Sequence, residues 1–288
     1  MKIAIVTDSN AGITQEECKG LKDVFVIPMP FMIDGEEYFE DINLSQEEFY
    51  TKLEGEADIS TSQPAVGEVT ELWENILKDY DQIVHIPMSS ALSKSMETAS
   101  VFSQEYNGKV QVVDNKRISV TQKESVFDAM RLAEQGRNAK EIKAILEDQS
   151  SQSSIYIMVS TLKYLKKGGR ITPAAAAIGT LLKIKPVLQI QGGKLDQFAK
   201  VMNEKVAKLK MIEAMKKDLE TRFKENVEKG EINLYIAYTN CREKAEEFAE
   251  QVRTEIPFVP VTLCDPLSLS VACHIGSGAL AIACAKKA

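Results

Sequence analysis

Gln82-Ile83-Val84-His85-Ile86-Pro87-Met88-Ser89-Ser90-Ala91-Leu92-Ser93 runs from an apolar, β-branched stretch into a serine-rich turn, and a helical pattern follows to about Glu105. A short apolar run punctuated by Pro and Ser and followed by a helix reads as one strand and its crossover. The alternation extends both ways. Upstream, Lys2 to Thr7 reads as a buried first strand ending at Asp8-Ser9, and Val24 to Ile33 as a further extended segment. Ser45-Gln46-Glu47-Glu48 carries the hydroxyl and carboxylate of a capping box and opens a helix towards Leu53. Pro64 suits a first helical turn, with Val66, Val69, Trp73 and Leu77 as the apolar stripe behind it. Downstream come a strand at Val110 to Asp114 and helices near Ser119 to Gln135 and Lys140 to Gln149. Strands separated by helices need crossover connections, which predicts a mostly parallel sheet.

The second half departs from that pattern. Ser154 to Ser160 is β-rich, and Thr161 to Lys167 is a short helix stopped by Gly168-Gly169. A helix is expected from Pro173 to Leu182, a strand at Lys185 to Ile190, and a hairpin at Gly192-Gly193. A long charged helix fills about Glu204 to Val227, followed by strand Ile232 to Tyr238, helix Arg242 to Glu255, strand Val259 to Cys264 and a last helix after Gly276. The hairpin makes this sheet mixed. The expectation is an α/β protein of two lobes, residues 1–160 and 161–288.

A chain of 288 residues, 44% of them hydrophobic, can bury two cores and is not disordered. Its formal charge, 35 − 42 = −7, argues against a general nucleic-acid binder. Five cysteines without a CxxC pair, and only His85 and His274, offer no expected metal site. Free thiols suit a reducing compartment, so the cytoplasm is expected. The first apolar run meets Asp8 too soon for a signal peptide. No stretch reaches the ~18 uninterrupted apolar residues of a membrane span; the alanine-rich run from Ile171 to Leu182 is broken by Pro173.

Three segments put small hydroxyls at what read as loop-to-helix junctions: Ser60-Thr61-Ser62-Gln63-Pro64, Ser89-Ser90-Ala91-Leu92-Ser93 and Cys273-His274-Ile275-Gly276-Ser277-Gly278. Free backbone N–H groups beside hydroxyls suit a carboxylate or phosphate. Helix capping alone explains each segment singly, though not a rare histidine in a glycine-rich turn. His85, inside a strand, reads as a core residue. Lys163, Lys166, Lys167 and Arg170 gather positive charge around Gly168-Gly169. Solvation explains the lysines, whereas Arg170 follows two glycines, where a turn could offer its planar guanidinium to a partner.

Ile5-Val6-Thr7-Asp8-Ser9, Thr61-Ser62-Gln63-Pro64, Ser89-Ser90-Ala91-Leu92-Ser93, Gly168-Gly169-Arg170-Ile171, Lys183-Ile184-Lys185-Pro186 and His274-Ile275-Gly276-Ser277-Gly278 stand in the order and spacing of the DegV family, which the chain resembles over nearly its whole length. The resemblance implies a Rossmann-like, mostly parallel α/β/α first lobe, a mixed-sheet α/β second lobe, and a lipid pocket between them. It implies a non-catalytic carrier without a cofactor, whose ligand is a long-chain fatty acid such as palmitate, stearate or oleate. FakB-type members serve a bacterial fatty acid kinase. That separate, ATP-dependent partner makes the acyl phosphate, which a downstream acyltransferase takes into phospholipid synthesis, leaving room for transient membrane contact. By position, Thr61, Ser62, Ser93 and His274 resemble the carboxyl-binding set, and Arg170 the kinase-docking residue. Departures are Lys94-Ser95 where Gly-Thr is common, Ala91 for a frequent glycine, Ser277 for a frequent proline, and no arginine near Val201-Met202-Asn203.

Candidate tail-lining segments are Phe25 to Ile33, Ala174 to Leu182 and Val187 to Ile190, each equally readable as core. Beside a non-lipid interaction protein whose pocket is collapsed core, two other functions compete. One is a Ser–His lipid hydrolase using Ser93 or Ser90 with His274 and an acid such as Asp8 or Asp265, although the GxSxG glycines are missing. The other is a phosphotransferase related to dihydroxyacetone kinases, although no glycine-rich phosphate loop with lysine is present.

Overall fold

A computed structural model describes residues 1–55, 57–177 and 184–288. Strands β1 (Ile3–Asp8), β2 (Val24–Ile27), β6 (Gln82–Ile86) and β7 (Val110–Val112) form a parallel sheet in the order β2-β1-β6-β7. Chain connections leave β1 to one side and arrive at β6 on the other. Such a reversal opens a crevice beyond the carboxyl ends of the two strands. Asp8 ends β1, Pro87-Met88 follows β6, and the site described below lies there.

A small antiparallel sheet, β4-β3-β5, is built from β3 (Pro30–Ile33), β4 (Glu36–Phe39) and β5 (Ile59–Thr61). The extended segment expected from Val24 to Ile33 is therefore two strands in two sheets. Pro28 and Pro30 lack the N–H that would carry one ladder through. The helix Gln46–Glu54 starts at the Ser45/Glu48 capping box and buries Phe49, Tyr50 and Leu53 against the small sheet.

The second sheet has the order β10-β9-β8-β13-β11-β12 and is mixed, with β11 and β12 parallel and the other pairs antiparallel. Its strands are β8 (Ser153–Met158), β9 (Lys185–Ile190), β10 (Asp196–Val201), β11 (Ile232–Tyr238), β12 (Val261–Pro266) and β13 (Leu280–Lys286). Since β8 pairs only within this sheet, the change of sheet falls before Ser153, whereas a division at 160 would put β8 in the first lobe. Side chains alternate across the sheet. Ile155, Ile157, Tyr235, Ala237, Ala281 and Ala283 face the first lobe. Tyr156, Met158, Leu234, Ile236, Leu280 and Ile282 face the helices Glu204–Glu220 and Arg242–Glu255.

Four helix expectations shift. The residues after Gly276 form strand β13, and the last helix, Leu269–Ile275, precedes it. The long charged helix ends at Glu220, with Lys224–Glu228 a separate helix. Pro64 lies ahead of the helix Val66–Ile76, whose N-cap is Ala65. The helix expected from Pro173 to Leu182 is seen at Pro173–Ala176, and its later part lies outside the described residues.

The helix Val120–Glu134 lies between the two large sheets and is buried along most of its length. Most of its polar groups are paired, Gln122 Oε1 being a buried exception. Lys123 binds Asp265 at 2.8 Å and Glu17 at 3.0 Å, and Glu124 accepts from the Tyr235 hydroxyl at 2.8 Å. Arg117, 1% exposed, donates to Ser125 and to the Lys286 carbonyl and lies 3.8 Å from Asp128.

Candidate functional site

Four segments converge at the crevice. β5 ends at Thr61, with Ser62 next. After β6 the chain turns through Ser89 to Ser93 before the helix Ser95–Ser103. The helix Leu269–Ile275 carries His274 in its last turn. The helix Lys163–Gly168 ends at Gly169 in the left-handed region, and Arg170 follows. Thr61, Ser62, Ser93, Arg170 and His274 all line one cavity of about 180 Å³.

Thr61 Oγ1 lies 3.0 Å from His274 Nε2, which joins β5 to the distant helix. Behind the ring, Gly168 leaves no room for a side chain: a Cβ there would stand 2.2 Å from His274 Nδ1. Gly276, at φ +82°, takes the backbone turn out of the helix, and a Cβ there would stand 2.7 Å from the Tyr164 ring. Burial, helped by the positive charge of Arg170, lowers the His274 pKa to about 4, so the imidazole is neutral at pH 7. His274 sits at a helix C-terminus, not at the free N–H groups expected from the sequence. What it offers is one ring nitrogen and a hydroxyl neighbour.

The serine turn is held from below. Buried Asp8 accepts from Met88 N at 2.9 Å and from Gln122 Nε2 at 3.1 Å, and burial raises its pKa. Ser90 is drawn to Asp114, with Oγ to Oδ2 at 2.6 Å. Ser93 Oγ meets Ser95 Oγ at 2.8 Å and accepts from Ser95 N. Asp265 is held by Lys123. These bonds form no Ser–His–acid relay: the hydroxyl bonded to His274 belongs to Thr61, and both candidate serines and both candidate acids are engaged elsewhere.

Below the polar cavity lies a second compartment of about 50 Å³, walled by apolar side chains apart from Ser119. Leu92, Ile118, Leu195, Val271 and Ile275 line both spaces, so the two adjoin across these side chains. Its floor is the first-lobe face of the mixed sheet, where the short side chains of Ala237, Ala281 and Ala283 stand beside Ile155, Ile157 and Ile190. Of the expected tail-lining segments, Ile190 lines the apolar compartment and Met29 the polar cavity. Ile178 to Leu182 lie outside the described residues. Leu92, Leu195 and the β13 alanines were missed because nothing in their local sequence separates a cavity wall from packed core.

The basic cluster divides. Lys167 binds Asp58 at 2.5 Å and Lys194 donates to the Gly169 carbonyl, while the Arg170 guanidinium donates to the carbonyls of Leu92 and Gly168. Lys94 lines the cavity and pairs with Glu97 at 2.8 Å. Ser277 accepts from Asn240. His85 is buried in β6 with its ring edge-to-face on Trp73. Among the described residues no cluster of His, Cys, Asp or Glu is placed to hold a metal, and no helix is long and apolar enough to cross a membrane.

The family model of the DegV proteins, described as uncharacterised, matches residues 2–287. A DegV domain-containing protein of Streptococcus pneumoniae is 32% identical over 289 residues, 98% of each chain. The solved fatty acid binding DegV family protein of Streptococcus agalactiae aligns over 100% of both chains, with a TM-score of 0.86 and 27% identity. DegV of Bacillus subtilis, described as a fatty acid binding protein, aligns over 100% of both chains, with a TM-score of 0.85 and 28% identity.

Proposed function

The chain belongs to the DegV family, and from that premise we propose that it is a carrier that encloses a long-chain fatty acid and presents its carboxyl group to a separate fatty acid kinase. The observation that carries the reading is the two-part cavity. Hydroxyls, an imidazole and a guanidinium line its polar part, and an apolar chamber adjoins it. A phosphate ester or a sugar would find no partners in the lower chamber, whereas an acyl chain needs none.

Magnitudes divide the labour. Each buried CH₂ is worth ~0.8 kcal/mol, so a sixteen-carbon tail gains about 12 kcal/mol at most. A charge-assisted hydrogen bond at the head adds about 1.5–3 kcal/mol. The tail supplies affinity and the head group supplies orientation. In the Nε2–H tautomer of neutral His274 the ring donates to Thr61 Oγ1, which leaves the Thr61 hydroxyl proton for a carboxylate oxygen. Ser62 and Ser93 supply further hydroxyls. Hydroxyls fix the carboxylate without a tight ion pair and leave an oxygen free to attack.

The kinase supplies ATP. A carboxylate oxygen attacks the γ-phosphorus, the bond to the β-phosphate oxygen breaks, and ADP leaves with that electron pair. Arg170 serves kinase docking, and the acyl phosphate goes to an acyltransferase for phospholipid synthesis.

Organic extraction of purified protein followed by mass spectrometry should recover about one fatty acid per chain. A chain that yields no acyl group and takes none up from added palmitate, stearate or oleate would refute the carrier reading. With the kinase present, Thr61→Ala and Ser93→Ala should keep the fold and sharply reduce acyl-phosphate formation.

A further inference from the structure

Arg170 is engaged on two sides. Its Nε donates to the Leu92 carbonyl at 3.1 Å, and one terminal nitrogen donates to the Gly168 carbonyl at 2.5 Å. Its own carbonyl accepts from Leu195 N at 3.1 Å, and Ile171 bridges to Leu195. Leu92 and Leu195 are two of the side chains shared by the polar and apolar compartments. The arginine thus reaches from the wall that carries Leu195 to the wall that carries Leu92. Ser93 follows Leu92 directly, and Gly168 packs on the His274 ring.

We propose that Arg170 is a clasp across the cavity mouth: it holds the Leu92-Ser93 turn against the Gly168-Arg170 turn and must release Leu92 before an acyl chain can pass. This deepens the carrier reading and rests on it. A half-buried guanidinium bonded to two neutral carbonyls is weakly held compared with one bonded to a carboxylate through two parallel N–H···O bonds. An acidic side chain on a partner therefore outcompetes Leu92 for it. Docking and opening then become one event at Arg170.

The test needs no partner. Delipidated protein is mixed with a fluorescent long-chain fatty acid in a stopped-flow instrument, and association and dissociation rates are measured for wild type, Arg170→Ala and Arg170→Gln. A clasp affects both directions alike. Both rates should rise by about tenfold, the worth of one net hydrogen bond, while the equilibrium affinity changes less than about threefold. Removing the guanidinium should also raise the NMR titration midpoint of His274, because the positive charge beside it is gone. Rates equal to wild type in both variants would overturn the clasp. So would a faster release with matching loss of affinity, which would mark Arg170 as a ligand contact. Should Arg170→Ala not fold, the Gln variant decides by the same criteria. If wild type fails to bind the probe at all, it is the carrier reading that falls.

Discussion

At the residue scale the two histidines carry a pH signature. Burial holds His274 at about 4 and His85 at about 3, against an ordinary value near ~6.5. Between those values and ~6.5 the unfolded chain binds protons that the folded chain refuses. Their contribution to stability is therefore complete above about pH 6.5 and is lost as the pH falls towards 4. His274→Gln should lose less stability than wild type between pH 7 and pH 4.5, measured by urea midpoints; equal losses would show that His274 titrates normally. Gly168 is the second residue-scale case, since any side chain there meets the His274 ring. Gly168→Ala is expected to weaken palmitate binding about tenfold, the worth of one head-group hydrogen bond, and calorimetric titration against wild type measures it.

At the element scale, helix Leu269–Ile275 and strand β13 set the shape of the site. Glu40 reaches from the end of β4 to accept Leu269 N at 2.8 Å, and enclosure raises its pKa to about 7. A carboxyl raised in this way makes the fold less stable as the pH rises from the ordinary carboxylate range through about 7. Glu40→Gln keeps an acceptor for Leu269 and removes that penalty, so its melting temperature should gain on wild type at pH 8 and not at pH 4.5. A gain of the same size at both pH values would mean that Glu40 does not titrate in this window. In β13, Ala281 and Ala283 leave the space beneath the mouth. Ala283→Val, a β-branched residue suited to a central strand, should shorten the acyl chains recovered by extraction. An unchanged chain profile would place the tail elsewhere.

At the scale of the whole molecule, the helix Val120–Glu134 is core to both large sheets, and its ion pairs tie them together. The lobes should therefore unfold as one. Trp73 is the chain's single tryptophan and lies in the first lobe, so its fluorescence reports that half alone. Its thermal transition should coincide with that of far-UV circular dichroism, and added fatty acid should move both upward together. Two separated transitions would show that the lobes are independent. Arg117→Met removes the buried cation 3.8 Å from Asp128, leaves Asp128 with Arg131 for its ion pair, and takes a donor from Ser125 and the Lys286 carbonyl, with an expected cost of about 3 kcal/mol in unfolding free energy.

Periodicity and turn chemistry were enough to read the parallel first sheet, the Ser45 capping box, the Gly192-Gly193 hairpin and the mixed second sheet, because each depends on neighbours in sequence. Strand β13 was not legible. Leu280-Ala281-Ile282-Ala283-Cys284-Ala285 has the composition of a helix, and only its central place between β8 and β11, buried on both faces, makes it a strand. The segments that line the site could be named in advance from their hydroxyls and glycines. That Thr61 meets His274, that Gly168 presses on the ring, and that Arg170 spans the mouth could not. Contacts between residues far apart along the chain are set by how three sheets pack, and no local pattern encodes the distance between their ends.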